Sequence, residues 1–261
     1  MSESESSPLL ATTDLSVRYG GVVALDHVSM AVRQGHIVGL IGPNGAGKTT
    51  LVDALTGFAS YTGSVDFAGR RMDGRPAHLR AGYGMSRTFQ SGVVFDDLTV
   101  AENMLVGERH SAGALASLWA TFTGRGTRLR PETTELIDSL DLGPVLNTRV
   151  SDLSQGYRKL VSVAQALACR PQLVLLDEPA AGLDAYESQW LGARLTAVRD
   201  GGVTILLVDH DMELVMGVCD EIIVLDFGTV IAVGDPAKVR NDERVVAAYL
   251  GGVVAGSGEQ L

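Results

Sequence analysis

Eight consecutive residues, Gly42-Pro43-Asn44-Gly45-Ala46-Gly47-Lys48-Thr49, combine closely spaced glycines with a terminal lysine and hydroxyl. Glycines allow successive backbone N–H groups to turn inward and approach phosphate oxygens closely. The apolar run His36-Ile37-Val38-Gly39-Leu40-Ile41 leads in as a strand. Thr50-Leu51-Val52-Asp53-Ala54-Leu55-Thr56 leads out as a helix, with Gly57 where a left-handed cap belongs. A glycine-rich turn can match such a pattern by accident, but a strand before it and a helix after it are the context a phosphate-binding loop requires. The helix N-terminus adds partial positive charge. In that reading Lys48 reaches the β- and γ-phosphates and the Thr49 hydroxyl ligates Mg²⁺.

A second element with chemical content is Leu173-Val174-Leu175-Leu176-Asp177-Glu178, an apolar strand ending in two carboxylates. Side chains at the carboxyl end of a parallel strand face the ligand crevice. There Asp177 holds Mg²⁺, directly or through water, and Glu178, one residue on, polarises an attacking water. The competing reading is a helix cap with Pro179 opening the next helix. Gln90 closes Arg87-Thr88-Phe89-Gln90; its neutral amide suits a switchable ligand of Mg²⁺ or water, and alone it would mean nothing. His210 lies in Asp209-His210-Asp211 after the apolar run Val203 to Val208, where an imidazole reaches a γ-phosphate. The other histidines, His27, His36, His78 and His110, read as structural. Ser154 in Leu153-Ser154-Gln155-Gly156-Tyr157 has N-cap chemistry and opens a helix whose N-terminus can bind an anion, although it reads equally as a plain cap. Tyr19, before Gly20-Gly21, is placed to stack on adenine, and on its own reads equally as a packing residue.

The elements that must position these groups are partly visible. Asp14 to Val38 reads as short strands with turns at Gly20-Gly21 and Gln34-Gly35, and Ser64 to Phe67 with Gly69-Arg70 as a hairpin edge. Together they predict a small antiparallel sheet beside the nucleotide core. From Asp97 to about Leu153 the character is helical: Thr99 and Glu102 have capping-box spacing and open a helix through Val106, and Leu136, Ile137 and Leu140 share a face. Residues 109–130, with Trp119, Phe122, Arg125, Arg128 and Arg130, read as a surface helical hairpin with a solvated basic end, or else as a membrane-proximal contact surface. Leu160, Val163, Ala164 and Leu167 stripe a helix from Ser154 to Ala168 that Pro171 stops. Leu173–Leu176 and Val203–Val208 are continuous apolar runs, as in a parallel sheet covered on both faces, and Ile222–Leu225 is another strand.

Composition sets the limits. A chain of 261 residues, 46% hydrophobic, suits a packed α/β core. A net charge of −10 disfavours a nucleic-acid backbone as partner. Only three lysines are present, Lys48, Lys159 and Lys238, and one of them falls at the motif position. Cys169 and Cys219 lie in apolar surroundings and read as reduced core thiols of a cytosolic protein. The polar, acidic start is not a signal peptide, and no apolar run reaches the roughly 20 residues needed to span a bilayer, so a membrane role must come through a partner.

Taken together, these segments resemble the ATP-binding subunit of ABC transporters over residues 9–251. Gly42 to Thr49 is similar to the Walker A motif, Leu173 to Glu178 to Walker B, Gln90 to the Q-loop, Ala181-Gly182-Leu183-Asp184 to the D-loop, His210 to the switch histidine and Tyr19 to the adenine-stacking aromatic. Leu153 to Tyr157 stands where Leu-Ser-Gly-Gly-Gln belongs; Leu153, Ser154 and Gly156 match, while Gln155 replaces a glycine and Tyr157 a glutamine. The resemblance implies a P-loop NTPase of the α/β class: a RecA-like parallel core with a small antiparallel β-subdomain (9–90 and 158–251), an α-helical signature subdomain (91–157), and tails at 1–8 and 252–261. It implies ATP and Mg²⁺ as cofactors. Tyr19, Gly42, Pro43, Asn44, Gly45, Ala46, Gly47, Lys48, Thr49, Thr50, Ser154 and Gly156 then bind nucleotide; Thr49, Gln90 and Asp177 hold the metal; Glu178, His210, Gln90 and Lys48 serve catalysis. It also implies a head-to-tail sandwich of two chains, with an identical copy or a sister ATPase, at the cytoplasmic face of the membrane. Permease subunits are direct partners and an extracytoplasmic solute-binding protein an indirect one.

Within the family, Arg87 to Gln90, Asp177 to Asp184, Asp209 to Met216 and the terminal Ala248-Tyr249-Leu250-Gly251 are similar to ATPases of branched-chain amino-acid uptake systems. Urea and amide importers look much alike. Lipid or glycolipid export is a further reading, as is a cassette for DNA repair or translation control; this last usually carries a long coiled-coil insertion or two cassettes, and neither is found in this sequence.

Overall fold

The computed structural model describes residues 7–88, 94–109 and 129–255. Its centre is a six-stranded sheet in the order β10-β9-β3-β8-β7-β6, formed by β3 (Ile37–Ile41), β6 (Met85–Arg87), β7 (Leu173–Asp177), β8 (Thr204–Val208), β9 (Glu221–Asp226) and β10 (Thr229–Gly234). All neighbours pair in parallel except β10, which returns antiparallel to β9. The apolar runs are continuous because both faces are covered. Ile37 and Ile41, Val174 and Leu176, and Ile205 and Leu207 face one hydrophobic core; Val38 and Leu40, Leu173 and Leu175, and Leu206 and Val208 face the other.

The second core is closed by α1 (Lys48–Thr56) and by a separate antiparallel sheet, β2-β1-β4-β5. Its strands are β1 (Leu10–Tyr19), β2 (Val22–Val32), β4 (Thr62–Phe67) and β5 (Arg70–Arg71). The hairpin edge expected at 64–70 is present. The strands around Gly20-Gly21 are long, not short, because register shifts between Thr12 and Leu15 and beyond break the alternation of side chains while the strand continues.

Helix α2 (Ala77–Gly82) packs against α1 and β6, while the first core is covered by α3 (Val100–Arg109), α4 (Pro131–Ser139), α5 (Gln155–Leu167), α6 (Ala185–Asp200) and α7 (Met212–Val218). Thr99 and Glu102 form the expected capping box: the Thr99 N–H donates to Glu102 Oε2 at 2.8 Å, and the Glu102 N–H to Thr99 Oγ1 at 3.3 Å. The helix runs to Arg109, past the expected end at Val106. No helix starts at Pro179; residues 178–182 turn, and Asp184 caps α6 instead. Two helices end the fold, α8 (Pro236–Arg240) and α9 (Glu243–Ala255), the second continuing into the stretch from 252 that reads as tail in the sequence. The hairpin expected near 109–130 lies almost wholly outside the described residues. Both cysteines are free; burial, aided by Asp220, pushes the Cys219 thiol up to about 12. Among the described residues, no helix is long and apolar enough to cross a membrane.

Candidate functional site

The loop between β3 and α1 is shaped by glycines that cannot be replaced. Gly42 has φ 152° and Gly47 φ 102°. A Cβ at Gly42 would lie 2.1 Å from the Leu225 carbonyl oxygen, and one at Gly47 2.7 Å from that of Ala24. The loop closes through the Ala46 N–H on the Pro43 carbonyl (3.1 Å), and α1 starts at once, the Leu51 N–H donating to the Gly47 carbonyl (2.9 Å). Lys48 Nζ curls back to donate to the carbonyls of Gly42 (2.7 Å) and Pro43 (3.0 Å). Burial lowers its pKa, and the nearby Glu178 and Asp177 carboxylates oppose that fall. Asn44, Gly45 and Thr49 are exposed along the loop, and Thr50 is half-buried behind them. Tyr249 of α9 meets the backbone of Gly42.

Asp177 closes β7 with its side chain 2% exposed. Arg87 Nη2 donates to its Oδ2 at 3.0 Å, and the Asp177 N–H donates to Thr88 Oγ1 at 3.2 Å. Burial raises the Asp177 pKa, and Arg87 pulls it back. The next residue, Glu178, takes a left-handed backbone, φ 50°. A non-glycine residue there costs about 1–3 kcal/mol and persists only when its surroundings hold it. They do: the Glu178 N–H donates to the Val208 carbonyl at 2.7 Å, and its carbonyl accepts from Lys159 Nζ at 3.3 Å.

His210 sits after β8 with its side chain 68% exposed and Nδ1 3.7 Å from Asp209 Oδ1. Nothing in the sequence pattern singles out Asp209. Its buried carboxylate accepts from the N–H groups of Ala180 (3.0 Å), His210 (2.8 Å) and Asp211 (3.0 Å), knotting the loop after β7 to the loop after β8. The only trace in sequence is a carboxylate directly after an apolar strand. Arg87 and Asp53 have no local signature either, because the partners of Arg87 lie 34 and 90 residues away in the chain. Tyr19 ends β1 and is 54% exposed. Gln90 lies outside the described residues.

The signature segment stands apart from this cluster. Ser154 caps α5 as expected, accepting from the Tyr157 N–H at 3.4 Å, and is exposed. Gly156 is buried against Glu187 of α6, whose Oε1 would lie 2.9 Å from an added Cβ. Both departures from the family pattern pack on their own chain. Gln155 Nε2 reaches the Ala181 carbonyl at 3.5 Å, and the Tyr157 ring meets Trp190 edge-on at 5.2 Å.

The donor set fits ATP with Mg²⁺. Gly42 and Gly47 let the loop seat directly on the Leu225 and Ala24 carbonyls, where any Cβ would clash. Among the described residues no three His, Cys, Asp or Glu side chains cluster as a metal cage. One hydroxyl and one carboxylate are what Mg²⁺ needs when phosphates and water supply its other ligands.

A family model described as ABC transporter matches residues 25–181, and one described as branched-chain amino acid ATP-binding cassette transporter matches 229–255. The chain belongs to the ABC transporter family. It is 38% identical over 252 residues to the high-affinity branched-chain amino acid transport ATP-binding protein LivG of Salmonella typhimurium, covering 94% of this chain and 99% of LivG. It is 37% identical over 254 residues to BraF of Pseudomonas aeruginosa, which carries the same description, with 94% and 99% covered. Among solved structures it is similar to the ADP conformation of MJ1267, an ATP-binding cassette of an ABC transporter, with a TM-score of 0.82 and 30% identity over 94% of this chain and all of that one. The phosphate loop, Asp177 and Glu178 of this ABC cassette therefore stand in a fold its solved relatives share.

Proposed function

We propose that this chain is the ATP-hydrolysing subunit of an ABC importer for branched-chain, hydrophobic amino acids. The observation that carries the ATPase reading is the convergence of the Lys48 ammonium, the buried Asp177 and the conformationally held Glu178 beside a glycine cradle. The solute class rests on the C-terminal match at 229–255 and on the relatives' solute.

Residues 9–251 then act as one ATPase domain. A core and β-subdomain (9–90 and 158–251) carry the phosphate loop, and a helical subdomain (91–157) carries the signature. The amides of Gly42 through Thr50 and the Lys48 ammonium bind and orient the phosphates, with Tyr19 against adenine. Thr49, Asp177 and Gln90 would hold Mg²⁺, which supplies charge neutralisation on the β- and γ-phosphates when bound. Glu178 accepts a proton from water as its oxygen attacks the γ-phosphorus, and the ADP oxygen leaves with the electron pair of the broken bond. His210 contacts the γ-phosphate. Catalysis here is mainly positioning and electrostatics. Ser154, exposed at the N-terminus of α5, and the Gly156 amide behind it serve the nucleotide of a second ATPase chain, a copy or a sister. ATP binds the closed pair better than the open pair, and that difference in affinity is what drives motion in the permease. The assembly works at the cytoplasmic face of the membrane, fed by a solute-binding protein.

The test is uptake of labelled leucine, urea and a control sugar in cells lacking this chain, rescued with wild type or Glu178→Gln. Loss of leucine uptake alone, restored only by wild type, is expected. Normal leucine uptake in the absence of the chain would remove the solute assignment and leave urea uptake or lipid export to be measured.

A further inference from the structure

Three side chains from three elements meet beneath the phosphate loop. Arg87, the last residue of β6, has a side chain 9% exposed. Its Nη1 donates to Asp53 Oδ1 of α1 at 2.5 Å, and its Nη2 donates to Asp177 Oδ2 of β7 at 3.0 Å. The next residue adds two more ties to β7: the Thr88 N–H donates to the Leu175 carbonyl at 2.9 Å, and Thr88 Oγ1 accepts from the Asp177 N–H at 3.2 Å. A planar guanidinium with donors in fixed directions holds two carboxylates at a set angle, which a lysine's point charge cannot do.

We infer that Arg87 is a positioning residue for the metal carboxylate: by taking Oδ2 of Asp177 and anchoring itself on Asp53, it presents Oδ1 of Asp177 to the cation that accompanies the nucleotide. This rests on the ATP-binding reading above. The charge count agrees. One guanidinium faces two carboxylates, so the cluster keeps an excess negative charge that a cation can complete. Because Asp53 lies on the helix that begins at Lys48, the clamp also ties the metal carboxylate to the element that carries the phosphate-binding lysine. Partners of metal ligands of this kind typically matter about 10- to 100-fold in metal affinity when removed.

The experiment measures Mn²⁺ binding to the full chain with ADP present, by the loss of the free Mn²⁺ paramagnetic resonance signal, beside ADP affinity in EDTA. Wild type is expected to bind both. Arg87→Gln is expected to lose roughly tenfold or more in Mn²⁺ affinity while ADP affinity in EDTA holds within about twofold. Arg87→Lys restores charge without the fork and should recover only part of the loss. Asp53→Asn, which leaves both Arg87 and Asp177 in place, should shift Mn²⁺ affinity in the same direction by less, and it carries the test if Arg87→Gln does not fold. Unchanged or tighter Mn²⁺ binding in Arg87→Gln would overturn the clamp, as would a parallel fall in metal-free ADP affinity, the mark of a merely structural role. Wild type that binds neither ADP nor Mn²⁺ would instead overturn the ATP-binding reading itself.

Discussion

The phosphate side and the signature side of this molecule are built on opposite plans. On the phosphate side the working groups are sunk among main-chain and side-chain partners: Asp177 is 2% exposed, Lys48 has two carbonyl partners and Glu178 is pinned at a left-handed φ. On the signature side Ser154 and Gln155 are exposed, and the hydrogen bonds of Ser154 stay within its own helix. The described groups of the first region lie together in one chain. The second offers a capped helix N-terminus outward and finds no phosphate in its own chain to meet. On the proposed reading, such a cassette binds nucleotide alone and turns it over efficiently only when another chain supplies the missing half.

The largest expected effect lies on the phosphate side. Glu178→Gln should bind ATP normally and lose roughly 10²- to 10⁴-fold in turnover, the usual contribution of a positioned general base. Near-normal turnover in a steady-state assay would remove Glu178 from that role. Next comes Lys48→Ala. Loss of a charge-assisted contact is worth about 1.5–3 kcal/mol, or roughly ten- to a hundredfold in ATP affinity by titration calorimetry. An unchanged isotherm would count against the phosphate loop. Smallest is Tyr157→Gln, which restores the family residue but removes the edge-on contact with Trp190. A loss of about 0.5–1.5 kcal/mol in denaturant unfolding is expected, with the single chain's ATP affinity unchanged. A fall in that affinity would mean that the two regions are coupled within one chain.

What could be read from the sequence follows from how local each signal is. The phosphate loop is eight adjacent residues whose glycines answer to backbone geometry, so spacing alone reveals it. The strands β3, β7 and β8 are legible because burial on both faces leaves unbroken runs of at least four apolar residues or glycine. Ser154 and the Thr99–Glu102 box are legible because caps act over three residues. The Arg87 clamp is not, since its carboxylates lie 34 and 90 residues away in the chain. Helix α6 escaped for a different reason: Ser188 and Gly192 fall on its buried face and blur the apolar stripe that periodicity needs. The bulges of β1 hid a long strand as several short ones. The carboxylate knot of Asp209 becomes visible only once the ends of β7 and β8 are side by side.

The contrast between the two regions is tested most directly by the ATP affinity of the isolated chain, dilute enough to be monomeric, in wild type, Lys48→Ala and Ser154→Ala. Lys48→Ala is expected to weaken binding roughly ten- to a hundredfold. Ser154→Ala should leave monomer affinity unchanged and lower turnover only in the assembled transporter. Weakening of the monomer's affinity by Ser154→Ala to the extent seen with Lys48→Ala would contradict it, because both residues would then serve one nucleotide within a single chain.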